Sequence, residues 1–200
     1  MNKLMSAIGG KNKKGFSLLE IMITVAIVGI LTAVVLTMQS RSRKARELEM
    51  AGRKVSAKMR EIQNNSLSGK QMAEGVTACG FGYTPAASGN KSYRAYYNYY
   101  DSDRTDIDCS SVAKGFGGSS AVYEEVRLED NSTASGRVYI DSGTLTGAYF
   151  SIPHGSVFNN SGAVIVSTRY LTLRSDAGYY NVCFYPTGKI EEPGLNTSCP

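Results

Sequence analysis

The chain has 200 residues, 42% of them hydrophobic, which is enough for one domain of ordinary size plus an additional element. This composition excludes an intrinsically disordered chain and a protein with several membrane spans. Of the 22 Lys and Arg residues, four lie in residues 1–15, where there is no acid, leaving 18 basic against 17 acidic residues. The net charge of +5 therefore gives no argument for nucleic acid as a partner of the folded part.

Residues 16–38 form an apolar run in which Glu20 is the one formal charge. A membrane-spanning helix needs about 20 apolar residues, so this run is long enough to cross a bilayer. The basic segment before it is typical of a secretory signal peptide. However, the run is longer than an ordinary signal core, and no small-residue cleavage site follows it, so we do not expect it to be removed.

The distinctive residues lie at the start of the run. The sequence KKGFSLLE, residues 13–20, followed by IMITVAIVGILTAVVL, resembles the class III signal of type IV pilins and type II secretion pseudopilins. The resemblance implies that a prepilin peptidase cuts between Gly15 and Phe16, on the cytoplasmic side. Residues 1–15 would be the cleaved leader, and Phe16 would become the N-methylated N-terminus.

The same resemblance implies the partners and the location of the protein. Expected partners are the prepilin peptidase, other pilin or pseudopilin subunits and the inner membrane. The chain would cross the inner membrane once, with its C-terminal domain outside the cytoplasm, and would then enter a filament at the cell surface or in the periplasm.

Glu20 needs a physical reason, because a carboxylate inside a membrane costs several kcal/mol unless it is paired. After cleavage, the Phe16 amine is a nearby cation, and methylation keeps its charge. In a filament, Glu20 of one subunit can meet the Phe16 amine of its neighbour, which would fix the register between subunits. The alternative is that Glu20 reaches the headgroups near the helix end. The small residues Ala26, Gly29 and Ala33 suit close helix packing, or have no packing role in a simple anchor.

The helical pattern continues beyond the apolar run. No proline occurs before Pro85, and apolar residues recur at helical spacing along one face. These residues are Leu48, Ala51, Val55, Met59 and Ile62. We predict one long helix over residues 16–66, transmembrane over 16–38 and amphipathic over 39–66, ended by the polar residues before Gly69. Residues 41–60 carry eight Lys or Arg against two Glu, which indicates either contact with anionic headgroups or neighbouring subunits, or a solvated face.

Residues 70–200 have the pattern of a globular β-rich head. Short runs rich in Val, Ile, Tyr and Thr alternate with turn residues. The candidate strands are 76–79, 94–100, 121–128, 137–140, 148–152, 163–167, 170–174 and 180–185. The predicted fold class is therefore α+β, with the long helix packed on an antiparallel sheet or a small β-sandwich.

The four cysteines, Cys79, Cys109, Cys183 and Cys199, form no CxxC motif, and an even number beyond an export signal indicates two disulfides. Three pairings are open. We favour Cys79–Cys109 and Cys183–Cys199, because each closes a short loop. Four separate buried thiols are the alternative.

Candidate ligand sites are weak. Asp101, Asp103, Asp106 and Asp108 could hold calcium, but the EF-hand pattern fails, and a solvated acidic loop is favoured. The tyrosines at positions 93, 96, 97, 99 and 100 could stack single-stranded DNA or sugars, but a structural role in a strand is favoured. His154 lies in a turn and is expected at the surface.

We therefore expect a structural subunit of a type IV pilus or of a type II secretion pseudopilus. The alternative is a minor pilin that binds DNA or a secreted substrate, or primes assembly. A nucleic-acid partner has no motif to support it. We expect no enzyme, no catalytic residue, no metal and no cofactor, since no catalytic motif occurs. The segment NVCFYPTGKIEEPG loosely resembles the closing strand pair of H-type minor pseudopilins.

Overall fold

The computed structural model describes residues 15–72, 76–86, 91–100, 109–128, 138–141, 147–152 and 155–200. The chain divides into two compact units, the first ending at Ser40 and the second formed by Arg41–Pro200. Helix α1 spans Leu18–Leu67. The described strands are β1 (Thr77–Pro85), β2 (Ser92–Tyr100), β3 (Ser120–Arg127), β4 (Tyr139–Ile140), β5 (Ala148–Ser151), β6 (Val157–Asn159), β7 (Arg169–Ser175), β8 (Gly178–Phe184) and β9 (Ile190–Leu195).

Helix α1 ends where the sequence supplies a C-cap. Gly69 has a φ of 60°, a conformation that glycine adopts at no steric cost. Its N–H donates to the Ser66 carbonyl at 3.3 Å, and the Lys70 N–H donates to the Asn65 carbonyl at 3.0 Å. These two bonds form a Schellman motif and satisfy carbonyls that would otherwise be unpaired.

The strands form two antiparallel sheets. The five-stranded sheet has the order β3-β2-β1-β5-β6, and the four-stranded sheet has the order β4-β7-β8-β9. The predicted α+β class, a long N-terminal helix packed on antiparallel sheet, is confirmed. The segment that resembled a closing strand pair forms the β8–β9 hairpin.

One core joins the C-terminal half of α1 to both sheets. The predicted stripe on α1 is buried, and Leu48, Val55, Met59 and Ile62 are 0% exposed. The same cluster contains aromatic side chains of the five-stranded sheet and aliphatic side chains of the four-stranded sheet. Each fully buried side chain of this size contributes about 1.5–3 kcal/mol, so the stripe attaches the helix firmly to the sheets.

The tyrosine-rich strand β2 has buried side chains on both faces of the five-stranded sheet. Tyr93 is fully buried in the main core. Tyr97 and Tyr99 lie on one face with ring centroids 5.9 Å apart, as alternation predicts. Tyr96 lies in a second buried cluster with Tyr149 and Phe158. We call the face that carries this second cluster the outer face of the five-stranded sheet.

Three strand predictions need correction. The segment 163–167 is not a regular strand, since only Val164 forms an isolated bridge there, to Phe158. Strand β6 was not predicted, because its three residues run directly into an Asn-Asn-Ser-Gly turn. Strand β1 continues to Pro85, well past the predicted end at residue 79.

The two glycines in β1 have a packing role. A Cβ at Gly82 would lie 2.6 Å from the Tyr96 ring, and a Cβ at Gly80 would overlap the Tyr149 side chain. Glycine is therefore required where large rings cross the strand closely.

Two disulfides connect strands to loops. Cys79 is bonded to Cys109 with a Cα–Cα distance of 5.3 Å, and Cys183 is bonded to Cys199 with a Cα–Cα distance of 5.8 Å. Closing loops of this size stabilises a small domain by about 2–4 kcal/mol each. The second bond attaches the C-terminal residues to β8.

A tyrosine fixes α1 on the four-stranded sheet. The ring of Tyr180 covers Gly52 so closely that a Cβ there would overlap it. The Tyr180 hydroxyl donates to Glu192 Oε2 at 2.9 Å, and Glu192 Oε1 forms an ion pair with Arg60 at 2.9 Å. Helix and sheet are thus joined by a close approach and by a polar network.

We predict that Gly52→Ala destabilises the head by about 1–3 kcal/mol, the usual cost of overpacking a core. At an open helix position the same change would stabilise the helix by up to about 1 kcal/mol, so the sign of the effect is diagnostic. The measurement is denaturant unfolding of the full chain in detergent. Met50→Ala is the matched control, because Met50 is 62% exposed on the same helix. An equal or stabilising effect of Gly52→Ala would contradict the close contact.

The second prediction concerns pH. Partial burial alone would raise the pKa of Glu192, but hydrogen bonds from Tyr180 and Arg60 outweigh it and hold the pKa below its ordinary value. The stability contributed by Glu192 is therefore present above the ordinary Glu pKa and is lost as the pH falls through the lowered value. Denaturant unfolding between pH 7 and pH 3 should show a smaller loss of stability for Glu192→Gln than for the unchanged chain. Parallel curves would contradict the prediction.

Candidate assembly helix

Helix α1 begins immediately after the predicted processing site. Ser17 caps the helix, since its Oγ accepts a hydrogen bond from the Leu19 N–H at 3.3 Å. Its carbonyl accepts the first turn's N–H groups, from Glu20 at 3.0 Å and from Ile21 at 3.2 Å. The spacing Ser-x-x-Glu over residues 17–20 is that of a capping box. The same residues that resemble a processing signal therefore also define a helix N-terminus.

The predicted scissile bond lies outside the helix. Gly15 and Phe16 precede the cap and are both exposed, and Phe16 is 78% exposed. A Cβ at Gly15 would meet nothing within 4 Å. Among the described residues, no contact covers this peptide bond, and no helical hydrogen bond would have to break before cleavage.

The first unit presents an exposed apolar surface that no described residue covers. Its large hydrophobic side chains between residues 16 and 38 are 46–78% exposed. These residues are Phe16, Leu18, Leu19, Ile21, Met22, Ile23, Val25, Ile27, Val28, Ile30, Leu31, Val34, Val35, Leu36 and Met38. Within the part of the chain that the structure describes, α1 is the one helix that is long and apolar enough to cross a membrane.

The threonines of this segment do not interrupt the apolar surface. The hydroxyls of Thr24, Thr32 and Thr37 donate to the carbonyls of Ile21, Val28 and Val34, at 2.9, 2.7 and 2.8 Å. Such bonds to the preceding turn satisfy the hydroxyl donor within the helix itself. Each threonine therefore needs no polar partner in an apolar environment.

Glu20 differs from the threonines. It lies in the first turn of α1, is exposed, and has no ion pair with any described residue. A carboxylate there is favoured by the helix dipole, but in an apolar environment it still needs a cation. Glu20 thus lies about one helical turn after Phe16, with no ionic partner among the described residues.

The small side chains predicted to suit helix packing leave a shallow strip on one side of α1. Ala26, Gly29 and Ala33 are exposed, and a Cβ at Gly29 would meet nothing within 4 Å. Their spacing of three and four residues places them on one side of α1. Another helix could approach closely at this side.

Most basic residues of the following segment are engaged within the head or along the helix. Arg43 pairs with Glu47 and Arg53 with Glu49 along the helix. Pairs to the head are Lys44–Asp176, Lys58–Glu124 and Arg60–Glu192. Among the described residues, Arg41, Arg46 and Lys54 have no such acidic partner. Lys54 donates instead to the Arg127 carbonyl at 3.5 Å. The basic charge of this segment is therefore only partly neutralised, because three of its eight cations have no acid beside them in the described residues.

The remaining candidate sites lie partly outside the described residues. Asp101, Asp103, Asp106, Asp108 and His154 lie outside the described residues. The described residues contain no group of acidic, Cys or His side chains that could hold a metal. Burial raises the pKa of the Tyr149 hydroxyl to about 12, and the aromatic rings of β2 contact other rings of the core. Tyr93, Tyr96 and Tyr97 are thus packing residues of the head.

Sequence reasoning missed Ser17 as a cap and the self-satisfied threonines. The capping box could have been found from the Ser-x-x-Glu spacing. The threonine bonds follow from the helix geometry once the segment is assigned as helix.

Comparison with known protein families finds a match that covers the start of α1. The prokaryotic N-terminal methylation motif matches residues 10–36. This match supports a class III signal of the type found in type IV pilins and pseudopilins. No characterised protein sequence and no solved structure matches the chain significantly.

Proposed function

We propose that the protein is a structural subunit of a type IV pilus or a type II secretion pseudopilus. A prepilin peptidase cuts it between Gly15 and Phe16, and the mature chain then assembles through its apolar helix. Its membrane partner before assembly is the inner membrane, and its partners afterwards are other pilin or pseudopilin subunits. The observation that carries the proposal is the exposed apolar surface of residues 16–38. Its one charged residue is Glu20, in the first turn of α1.

A bilayer would cover the apolar side chains but would leave Glu20 without a cation. A bundle of helices from several subunits supplies both kinds of contact. The Phe16 amine of a neighbouring subunit is a cation of the required chemistry at the matching end of the helix. The pair neutralises two charges in an apolar interior and sets how far one subunit is displaced from the next, because the attraction falls steeply with distance.

The exposed Gly15–Phe16 junction supports the processing step. A peptidase needs access to the scissile peptide, and this bond precedes both the helix and its cap. Cleavage there leaves the Ser17 cap and Glu20 in the mature chain. The new amine would lie one residue before the cap.

We predict the intact mass of the protein from membranes that contain a prepilin peptidase. The expected species starts at Phe16, carries one added methyl group, and has lost four hydrogens to its two disulfides. Reduction should add those hydrogens back. A species that keeps residues 1–15 would point to a plain single-pass anchor. A species that lacks the whole apolar run would point to a secreted protein and would overturn the proposal.

We predict next that Glu20→Gln leaves cleavage intact but lowers filament yield by more than about 100-fold, because removing one partner of a buried charge pair costs about 3–5 kcal/mol. The glutamine keeps the shape and removes the charge. Thr24→Val is the matched control, since the Thr24 hydroxyl is already satisfied within the helix. Filament is measured after shearing from cells or after overexpression of the secretion system.

Normal filament yield for Glu20→Gln would contradict the charge pair. Protein confined to the filament tip in small amounts would instead favour a minor subunit that primes assembly or binds DNA or a secreted substrate.

A further inference from the structure

Residues 163–166, here called the edge segment, extend the five-stranded sheet beyond β6. The Asn159 N–H donates to the Ala163 carbonyl at 2.8 Å, and the Ile165 N–H donates to the Val157 carbonyl at 3.0 Å. The Ile165 side chain is 4% exposed and belongs to the main core. The edge segment thus lies beside β6 in antiparallel direction and forms the outermost strand-like element on this side.

The outward side of the edge segment carries unused backbone groups. In an antiparallel pair, successive residues direct their peptide groups alternately toward and away from the partner. Since Ala163 and Ile165 bond β6, the N–H and C=O groups of Val164 and Val166 point away from it. No described residue bonds these groups. They are the groups that would bind another extended strand.

The edge segment lacks the charged residues and prolines that usually prevent an edge from pairing with another strand. Val164 is 57% exposed and Val166 is 82% exposed. No charged residue and no proline occurs from position 157 to 168. Edge strands of soluble domains usually carry Lys, Pro or a bulge, so an uncharged, β-branched edge marks a surface that is covered in the functional state.

The opposite edge of the same sheet has matching properties. Strand β3 is paired on one side only among the described residues. The Tyr99 N–H donates to the Ser119 carbonyl at 3.0 Å, and Asn98 lies opposite Ser120. By the same alternation, the peptide groups of Ser120 and Val122 point away from β2. Val122 is 44% exposed, and residues 115–123 carry no charge.

The two edges are also compatible in direction. The five strands and the edge segment make six consecutive antiparallel elements. Because six is even, a second copy displaced along the sheet would place its β3 antiparallel to the edge segment of the first. The aligned groups would be Val164 opposite Val122 and Val166 opposite Ser120.

The faces match as well. Val122 lies opposite Tyr96 and Val164 lies opposite Phe158, and directly opposed residues share a face. Tyr96 and Phe158 both belong to the outer face. Joining the edges in this register therefore places the exposed valines of both copies on one face, where they cover each other.

We propose that the edge segment pairs antiparallel with β3 of a second copy of this chain, so that the five-stranded sheets of neighbouring heads continue into one another. This proposal rests on the proposed filament function and adds a contact between heads to the contact between helices. The two surfaces differ, so the contact is heterologous. Repeated without closing into a ring, such a contact gives an open assembly of one polarity, as a filament requires.

The test is photo-crosslinking in the full chain. Two copies with different tags are co-expressed with prepilin peptidase, and one carries p-benzoylphenylalanine in place of Val166. Crosslinked peptides are identified by mass spectrometry in membranes and in sheared filaments. The expected product joins position 166 of one copy to residues 120–123 of the other. The same photo-crosslinker at Met50, an exposed position on α1, measures the background.

Links to the edge segment of the other copy, links to a different protein, or a yield no higher than at Met50 would each overturn the proposal. If filaments form without the expected link, the edge pairing fails while the filament function stands. If no filaments form but membranes still give the expected link, the filament function fails while the pairing stands.

Two variants at position 164 distinguish strand pairing from crosslinking to a merely exposed surface. They are made in the copy that does not carry the photo-crosslinker. Val164→Lys places a charge against the apolar partner, and we expect the crosslink yield to fall about tenfold, equivalent to about 1.4 kcal/mol. Val164→Thr keeps the β-branched shape and should keep the yield within about twofold. For this measurement the photo-crosslinker replaces Val122 in the other copy, so that it faces the substituted edge segment. Equal yields for the two variants would contradict the pairing.

Discussion

The apolar surface of α1 is a constraint that the chain does not satisfy alone. Side chains from Phe16 to Met38 are uncovered on all sides, and exposing so much apolar area to water is unfavourable by about 25 cal/mol per Å². A membrane or other helices must therefore cover the segment at every stage. The self-satisfied threonines suit either environment, but Glu20 distinguishes them, because lipid tails offer no cation and a neighbouring N-terminus does.

The same helix answers a different requirement beyond Ser40. There, one stripe is buried against the sheets, and the basic residues on its other sides are mostly paired with acids of the helix or head. The Tyr180 ring over Gly52 permits a close approach that a larger residue would prevent. Lys44, Lys58 and Arg60 attach this part of α1 to acids of the head. Arg41, Arg46 and Lys54 have no acidic partner among the described residues.

Sequence periodicity was sufficient for the helix and its buried stripe, since one face of α1 repeats apolar residues over several turns. It was less reliable for strands. The predicted strand ended at residue 79, before Gly80 and Gly82, and the packing role of these glycines depends on rings from β2 and β5 that are distant in sequence. Strand β6 has too few residues to show alternation. Composition near the chain start indicated the apolar run, whereas the cap at Ser17 required its spacing to Glu20.

The error at residues 163–167 differs from these. Val164, Ile165 and Val166 have the composition of a strand, and half of the expected ladder is present, on the β6 side. On the other side, no described residue pairs with this segment. A sequence pattern reports the capacity for pairing, whereas a regular strand also needs a neighbour. In the proposed filament, another copy of the same head would supply the neighbour of the edge segment, since its β3 edge has the required direction, face and lack of charge.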